Sequence, residues 1–368
     1  MKKRFLGVLL SVAMVAAVLA GCGSSGAKET AAPAGSETEA ASEAASGETE
    51  AAGNTGDVIT VGFSQVGAES DWRTANSESM KSTFSTENGY NLIFDDAQQK
   101  QENQIAAIRN FIQQEVDYIV LAPGTESGWD TVLQEAKDAE IPVIIVDRMV
   151  DVSDDSLYTA WVGSNFKLEG QKACEWLKQY AAAKNMSEVN IVDIQGTIGA
   201  SAQIGRTEAL NEAVEANGWN LLAQQTGEFT QAKGQEVMES MLKQYDNINV
   251  VYCENDNEAF GAIEAIKAAG KTVGPDGDIL VMSFDTTKQG ITDTLSGDII
   301  VNTECNPLHG PRVEQIIKQL QAGETPEKQA YVEEGIYAHG SDVASVSIDG
   351  TDYEVTEVTQ DVVDARAY

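Results

Sequence analysis

The feature that most constrains this chain is a repeated pattern: a short apolar run, a polar side chain at its end, then a stretch with helical spacing. It begins in residues 58–73 (VITVGFSQVGAESDWR) and recurs at 118–122 (YIVLA), 143–146 (VIIV) and 250–253 (VVYC). Continuous apolar runs of this length are typical of strands buried on both faces of a parallel sheet. Strands that alternate with helices across short loops predict a doubly wound α/β fold.

The pattern restarts near Trp161, and this restart predicts two similar lobes. The residues after position 56 number about three hundred, which is more than a usual single core holds. Ligands of such sheets lie beyond the carboxyl ends of the strands, so the polar strand-end residues predict a binding cleft between the lobes. Near the C-terminus, Asp349-Gly350 favours a small hairpin.

The N-terminal residues indicate export. Lys2, Lys3 and Arg4 precede an apolar run at 5–20 that is too short to span a bilayer, so residues 1–22 are predicted to be a signal peptide. Leu-Ala-Gly directly before Cys22 resembles a bacterial lipoprotein cleavage box, in which the cysteine is acylated; the alternative is an ordinary signal peptide. Residues 23–56 have the composition of a disordered acidic tether.

The net charge limits the possible partners. The chain has 58 acidic and 24 basic residues, a formal charge of −34. Nucleic acid and anionic lipid surfaces would be repelled, so neither is an expected electrostatic partner. We therefore expect membrane contact through the lipid anchor alone.

Three cysteines remain after Cys22: Cys174, Cys253 and Cys305. An odd number does not form a disulfide framework, and small buried hydrophobic side chains are the simpler interpretation. A bridge between Cys253 and Cys305 stays open at this point, because both lie near predicted strand ends.

The sequence lacks recognisable catalytic motifs. Its two histidines, His309 and His339, lie in no nucleophile or metal motif, and no glycine-rich phosphate loop follows a strand. Paired carboxylates in a cleft could still hydrolyse a glycoside, which is the competing enzymatic interpretation. We predict a protein that is not an enzyme and has no catalytic residue, cofactor or metal.

Several segments together carry a family resemblance: FSQVGAESDWR, DDAQQKQENQ, EAKDAEIPVIIVDR, IQGTIGAS and GQEVMES. With them the chain resembles the sugar-binding type I group of the periplasmic-binding-protein superfamily. Within that group it is most similar to galactofuranose-binding subunits of sugar ABC transporters, and more distantly to ribose-binding proteins. The resemblance implies a monomeric extracytoplasmic lipoprotein that captures a monosaccharide by hinge closure and delivers it to an ABC permease. Sensing for chemotaxis or a sensor kinase, and binding of ribose, galactopyranose or arabinose, are the alternatives.

The resemblance also implies how the chain is divided. Two doubly wound parallel-sheet lobes would be joined by three hinge crossings, near 161–165, 304–307 and 335–337. The first lobe would then comprise residues 57–162 and about 305–335. The second would comprise 163–304 and about 336–368.

The family's ligand pocket can be transferred to matching positions of this sequence. The implied ligand-binding residues are Ser64, Glu69, Trp72, Arg73, Asp147, Arg148, Arg206, Asn255, Asp285 and Glu304. Carboxylates accept hydrogen bonds from adjacent hydroxyls and an arginine donates to two, while an aromatic plane covers the C–H face of a sugar. This near balance of acceptors and donors suits a neutral polyol.

Some positions allow two interpretations. Trp161 stands where the family often has a smaller residue, and it either stacks on a ligand or packs the hinge. Thr286 replaces a common glycine, which leaves the shape of that loop undetermined. Asp256 either contacts ligand or orients its loop and caps the next helix, and helical spacing favours core packing for Trp129.

Overall fold

A computed structural model of the protein describes residues 58–368. The predicted signal peptide, the predicted lipidation site Cys22 and the predicted tether lie outside these residues. Within 58–368, the helices are all too short or too polar to span a bilayer.

The strands of the described part alternate with helices, as the apolar runs predict. In chain order they are β1 (Ile59–Gln65), β2 (Tyr90–Asp96), β3 (Tyr118–Leu121), β4 (Val143–Val146), β5 (Ala160–Gly163), β6 (Asn190–Gln195), β7 (Asn220–Thr226), β8 (Val250–Cys253), β9 (Leu280–Asp285), β10 (Val301–Glu304), β11 (Gln329–Tyr331), β12 (Ile336–Ala338), β13 (Ser345–Ile348) and β14 (Thr351–Glu357). The helices are α1 (Asp71–Thr83), α2 (Gln101–Gln113), α3 (Asp130–Asp138), α4 (Phe166–Ala183), α5 (Ser201–Asn217), α6 (Gln231–Gln244), α7 (Asp256–Ala268), α8 (Lys288–Ser296), α9 (Gly310–Gln321) and α10 (Gln360–Ala365), with 3-10 turns at Thr86–Asn88 and Asp155–Leu157.

These strands form two sheets. The first has the order β11-β5-β4-β3-β1-β2, and all of its pairs are parallel. The second has the order β13-β14-β12-β10-β9-β8-β6-β7 and is parallel except where β12 pairs with β10 and β13 with β14. Strands such as β4 are buried along their whole length, as expected for a sheet covered by helices on both faces. The predicted α/β fold class is confirmed.

The chain crosses between the sheets three times: between β5 and α4, between β10 and α9, and between β11 and β12. These are the three segments in which the hinge crossings are expected. The exact lobe boundaries stay a prediction. The part of the chain built on the first sheet is called the first lobe, and the part built on the second sheet is called the second lobe.

The C-terminal hairpin forms at the predicted turn. Asp349 and Gly350 have φ angles of 50° and 82° and connect β13 to β14. Two successive positive φ angles are the requirement of the tight turns that match strand twist, and Asp-Gly meets it at low cost.

The sequence pattern does not predict β5 and β11, the last two strands on one side of the first sheet. Trp161 lies in β5, so the packing of these strands determines its role. Its side chain lies in the hydrophobic core of the first lobe, 2% exposed, and meets Tyr331 edge-on at 5.1 Å. Its indole N–H donates to the carbonyl of Asp147 over 3.1 Å. Trp161 therefore packs the hinge side of the sheet instead of stacking on a ligand.

Other open interpretations are also decided. Trp129 is fully buried in the core, as its spacing predicts. Cys174, Cys253 and Cys305 are all buried free thiols, so the possible bridge between the last two does not form. Asp256 accepts hydrogen bonds from Ser283, Thr287 and Asn302 and thereby orients its loop.

Candidate ligand-binding site

A cavity of about 290 Å³ lies where the carboxyl ends of strands from both lobes meet. The lining residues are Glu69, Ser70, Trp72, Arg73, Asp147, Arg148, Phe166, Ala202, Arg206, Phe229, Asn255, Asp285 and Cys305. Eight of the ten residues transferred from the family therefore line one cavity.

The first lobe contributes a chain of buried ion pairs to the cavity. Arg73 lies between two carboxylates, with Nε 3.1 Å from Glu69 Oε1 and Nη2 2.8 Å from Asp147 Oδ2. Arg148 Nη2 lies 3.5 Å from the same Glu69 oxygen, and its Nη1 donates to the carbonyl of Gly124 over 3.0 Å. Two cations and two anions alternate, so this wall is electrically balanced before any ligand arrives.

Local sequence places these side chains. Ser70 caps α1, because its hydroxyl accepts the backbone N–H of Arg73 over 3.1 Å, and the cap fixes Trp72 and Arg73 in the first turn. Asp147 follows β4 with a φ of 63°. Aspartate tolerates this left-handed conformation better than most residues, and it turns the carboxylate toward Arg73.

The second lobe contributes Arg206, which is held by contacts on three sides. Its Nε and Nη2 each lie 2.8 Å from Glu169 Oε2, its Nη1 donates to the carbonyl of Glu254, and Asp285 Oδ1 is 3.6 Å from Nη2. The preceding Gly205 makes this possible: an added Cβ would lie 2.8 Å from the backbone nitrogen of Lys167. Helices α4 and α5 therefore approach closely enough for the ion pair.

Asn255 has two structural hydrogen bonds although it lines the cavity. Its Oδ1 caps α7 by accepting the backbone N–H of Glu258 over 2.8 Å, and its Nδ2 donates to the carbonyl of Phe229 over 3.1 Å. Asp285 and Thr286 at the end of β9 have φ angles of 99° and 55°. Thr286 thus takes the left-handed conformation that glycine often supplies, and the loop keeps its turn without it.

Aromatic rings enclose the cavity, and two of them were not anticipated. Trp72 was expected, whereas Phe166 and Phe229 come from the second lobe. The Arg148 guanidinium lies 5.1 Å from the ring centre of Phe229, and that of Arg206 lies 5.5 Å from Phe166. Each arginine is thereby steadied by a cation–π contact as well as by its carboxylates. Ser70, Ala202 and Cys305 are the other lining residues that the sequence did not indicate.

Two of the ten transferred residues lie elsewhere. Ser64, in β1, is fully buried and is not among the lining residues. Glu304 ends β10, and its Oε1 lies 2.8 Å from both Arg366 Nη1 and Tyr368 Oη, close to the C-terminus. The carboxylate of Glu304 is thus engaged by the chain itself.

Burial and charge divide the carboxylates into two kinds. Burial opposes ionisation of Asp147, but the positive charges of Arg73 and Arg148 hold its pKa below the ordinary value. Burial raises the pKa of Asp285 well above its usual range, against the pull of Arg206. The first lobe therefore presents a stable anion to the cavity, and the second presents a carboxyl group able to hold a proton.

Among the lining residues of the first lobe, Asp147 Oδ2 has only its ion pairs with Arg73 and Arg148. Two further buried polar atoms have no hydrogen-bond partner in the described part: Glu69 Oε2 and Arg73 Nη1. One is an acceptor and the other a donor. Buried polar groups are nearly always paired in proteins, so both have capacity for a ligand. Adjacent hydroxyl groups of a polyol offer the matching donor and acceptor.

The lobes are hydrogen-bonded to each other around the cavity. Glu126 N donates to the carbonyl of Gly199 and Met149 N to Ser201 Oγ, both over 2.9 Å, while Asp71 N donates to Asn257 Oδ1 over 3.0 Å. Trp72 Nε1 donates to the carbonyl of Cys305 in the second crossing over 2.6 Å. The described structure is therefore the closed form of a two-lobed protein.

Close to the cavity, Glu169, Cys305 and Glu334 bring potential metal-ligand atoms within 4.8 Å of one another. Ser164 Oγ already lies 3.3 Å from Cys305 Sγ and donates to Glu334 Oε1 over 2.7 Å, and Glu169 pairs with Arg206. We interpret this group as a hydrogen-bonded cluster of the hinge.

Comparison with known proteins agrees with this geometry. A family model described as a periplasmic binding protein domain matches residues 61–303. The galactofuranose-binding protein YtfQ of Escherichia coli (strain K12) is 42% identical over 284 residues, covering 76% of this chain and 87% of that protein. The ribose import binding protein RbsB of the same strain is 29% identical over 55% of this chain and 64% of that protein.

Solved structures agree as well. A Mycobacterium smegmatis protein in complex with β-D-fucofuranose has a TM-score of 0.73 at 43% identity and covers 76% of this chain and 91% of its own. The binding component of the arabinose ABC transporter from Shewanella sp. ANA-3, bound to L-arabinofuranose, has a TM-score of 0.71 at 42% identity and covers 76% and 92%. By its fold, its two-lobed cavity and these matches, the chain belongs to the periplasmic binding protein family.

Proposed function

We propose that this chain is the extracytoplasmic solute-binding protein of an ABC transporter, and that it captures a monosaccharide in furanose form, with galactofuranose as the first candidate. The observation that carries the proposal is the cavity of about 290 Å³ between the lobes, with an unpaired acceptor on Glu69 and an unpaired donor on Arg73. A neutral polyol satisfies both without adding net charge to a wall that is already balanced.

The furanose form is supported by the relatives. The names and titles of three of them state galactofuranose, fucofuranose and arabinofuranose, each in a protein at least 42% identical to this chain. The fructose- and ribose-binding relatives are more distant, at 32% and 26–30% identity. The eight lining residues transferred from the family are the proposed ligand contacts, together with Phe166 and Phe229.

Closure is the proposed means of capture. The cavity walls come from both lobes, so a bound sugar contacts more of the protein in the closed form than in an open one. A ligand shifts a conformational equilibrium only by this difference in contact. The closed form, defined by the lobe-to-lobe hydrogen bonds, would then be the form that a permease recognises.

Acylation of Cys22 and the acidic tether would keep a monomeric protein close to that permease. The curated relatives are named as binding proteins, and we propose no reaction for the cavity. The carboxylates that could act as an acid–base pair are occupied by arginines: Asp147 by Arg73, and Asp285 by Arg206. Turnover of a sugar or glycoside by the purified protein would reverse this part of the proposal.

The experiment is a calorimetric titration of the protein with D-galactose, D-fucose, L-arabinose, D-ribose, D-glucose and myo-inositol. D-Galactose, D-fucose, L-arabinose and D-ribose all equilibrate with furanose forms in water, whereas D-glucose is almost wholly pyranose. We expect binding of one or more of the first three and a much weaker response to glucose and inositol. Equal binding of glucose, or no binding of any sugar, would contradict the proposal.

A further inference from the structure

The last residues of the chain are bonded to a hinge carboxylate. Arg366 Nη1 and Tyr368 Oη each lie 2.8 Å from Glu304 Oε1, and they are 2.6 Å from each other. The side chains of Arg366 and Glu304 are only 8% and 12% exposed. This is a partly buried, charge-assisted contact, which is stronger than an exposed surface ion pair.

The segment that carries these residues is itself fixed. We define the tail as residues 358–368. Val358 and Val363 pack against Ile291 of α8, and Lys288 Nζ donates to the carbonyl of Val363. The Arg366 guanidinium lies 4.9 Å from the ring centre of Tyr337, next to the third crossing. The tail therefore reaches Glu304 as an ordered part of the second lobe.

Glu304 in turn connects two crossings. Its Oε2 accepts the backbone N–H of Gly335 over 2.9 Å, and its own N–H donates to the carbonyl of Gly335 over 3.0 Å. Burial disfavours ionisation of Glu304, but Gly335 N–H, Tyr368 and Arg366 hold its pKa below the ordinary value. One ionised carboxylate thus joins the second crossing, the third crossing and the tail.

Cys305, the residue after Glu304, connects the hinge to the cavity. Cys305 lines the cavity, and its carbonyl accepts the indole N–H of Trp72, a contact between the second crossing and the first lobe. A continuous path of contacts therefore runs from Arg366 and Tyr368, through Glu304 and Cys305, to Trp72. The path exists in the closed form that the structure describes.

We propose that the tail clamps the hinge, and that Arg366 and Tyr368 are positioning residues for ligand capture. By holding Glu304 they fix the second crossing, whose Cys305 carbonyl holds the Trp72 indole at the cavity wall, without touching ligand themselves. The inference rests on the proposed function, because the quantity it affects is affinity for the captured sugar. The tail lies beyond residues 61–303, which the family model matches.

The experiment uses the full chain and three variants, Arg366→Met, Tyr368→Phe and Glu304→Gln, with the double variant R366M/E304Q. Each is titrated calorimetrically with D-galactose, D-fucose and L-arabinose, and its melting temperature is measured with and without sugar. We expect R366M to raise Kd about fivefold, since only part of a charge-assisted hydrogen bond couples to closure. E304Q should raise Kd by a similar factor. The Kd of the double variant should not exceed the higher of the two single-variant Kd values, because both substitutions remove the same link.

The matched control is Arg109→Met, which removes an exposed ion pair with Glu135 in the first lobe and should leave Kd unchanged. A tail with only a structural role would lower the melting temperature equally with and without sugar and leave Kd as in the wild type. That outcome would overturn the inference. Additive losses in the double variant would overturn it too, because the tail would then not act through Glu304.

The same variants separate this inference from the proposed function. If the wild type binds none of the sugars, the proposed function fails, and small-angle scattering of the sugar-free proteins still tests the clamp. A larger radius of gyration for R366M than for the wild type and R109M would support it. Identical values for all three would overturn it.

Discussion

Met149 and Ser201 lie on opposite lobes, and the backbone N–H of Met149 donates to Ser201 Oγ over 2.9 Å beside the cavity. Met149 follows the Asp147-Arg148 pair of the first lobe, and Ser201 begins the helix that carries Arg206 in the second. This hydrogen bond can form only when the lobes are closed. It therefore reports on the equilibrium on which capture depends.

We expect Ser201→Ala to weaken sugar binding through a less stable closed form. Loss of one neutral hydrogen bond is worth about 1 kcal/mol, or about a fivefold rise in Kd. The rise should come mainly from faster release, which stopped-flow fluorescence would measure. Ser240→Ala, whose hydroxyl bonds within helix α6, is the control and should bind as the wild type. Equal release rates for both variants would contradict the closed-form role of Ser201.

Arg206→Met should weaken binding at least about a hundredfold, because it removes a guanidinium that lines the cavity and leaves Glu169 buried without its partner. Arg206→Lys keeps the charge but loses the planar fork, so its Kd should be intermediate. Calorimetric titration gives both values. Melting temperatures without sugar show how much of each loss of affinity comes from reduced stability of the fold. A Lys variant with the wild-type Kd would contradict the need for the planar guanidinium.

Asn255→Ala should weaken binding together with stability, since the amide both lines the cavity and caps helix α7. Loss of such a cap costs about 1 kcal/mol. Asn255→Asp keeps the capping oxygen but cannot donate to the carbonyl of Phe229, so it should recover stability and not affinity. If the Asn255→Asp variant had both the stability and the affinity of the wild type, Asn255 would act only as a helix cap.

The free energy of unfolding should depend on pH through Asp193, because burial raises the pKa of its carboxyl group from 3.8 to about 7. The unfolded chain releases this proton near pH 4 and the folded protein near pH 7. Between those values the contribution of Asp193 falls as pH rises, by up to about 1.4 kcal/mol per unit. Denaturant unfolding of Asp193→Asn, compared with the exposed Asp361→Asn, should therefore show a gain over the wild type that grows from pH 4 to pH 7. A gain of equal size at both pH values would contradict the titration.

The fold could be predicted because its strands are continuous apolar runs bounded by polar residues. Strand β8, Val250–Cys253, lies where its apolar run predicts, and β4 coincides with VIIV. Strands β5 and β11 were missed because they have only four and three residues, and because Trp161 of β5 packs against Tyr331 of β11, which is itself 59% exposed. A contact between residues so distant in the chain leaves no periodic signal.

The sequence could predict those site residues that directly follow a strand and match the family's pattern along the chain. Asp147, Asn255 and Asp285 do so, and they line the cavity. Phe166 and Phe229 were missed because their rings reach the cavity from a helix start and a loop, where an aromatic residue carries no distinct pattern. Glu304 was assigned to the ligand because its partners, Arg366 and Tyr368, are more than sixty residues away in sequence.

The most direct test of the account is small-angle scattering of a chain that begins at Asp57, with and without the sugar that binds most tightly in the titration. We expect a smaller radius of gyration on saturation for the wild type. Arg206→Ala and Asn255→Ala should show less compaction than the wild type at matched saturation. Identical compaction in all three proteins, or no change in the wild type, would contradict capture by closure of the two lobes.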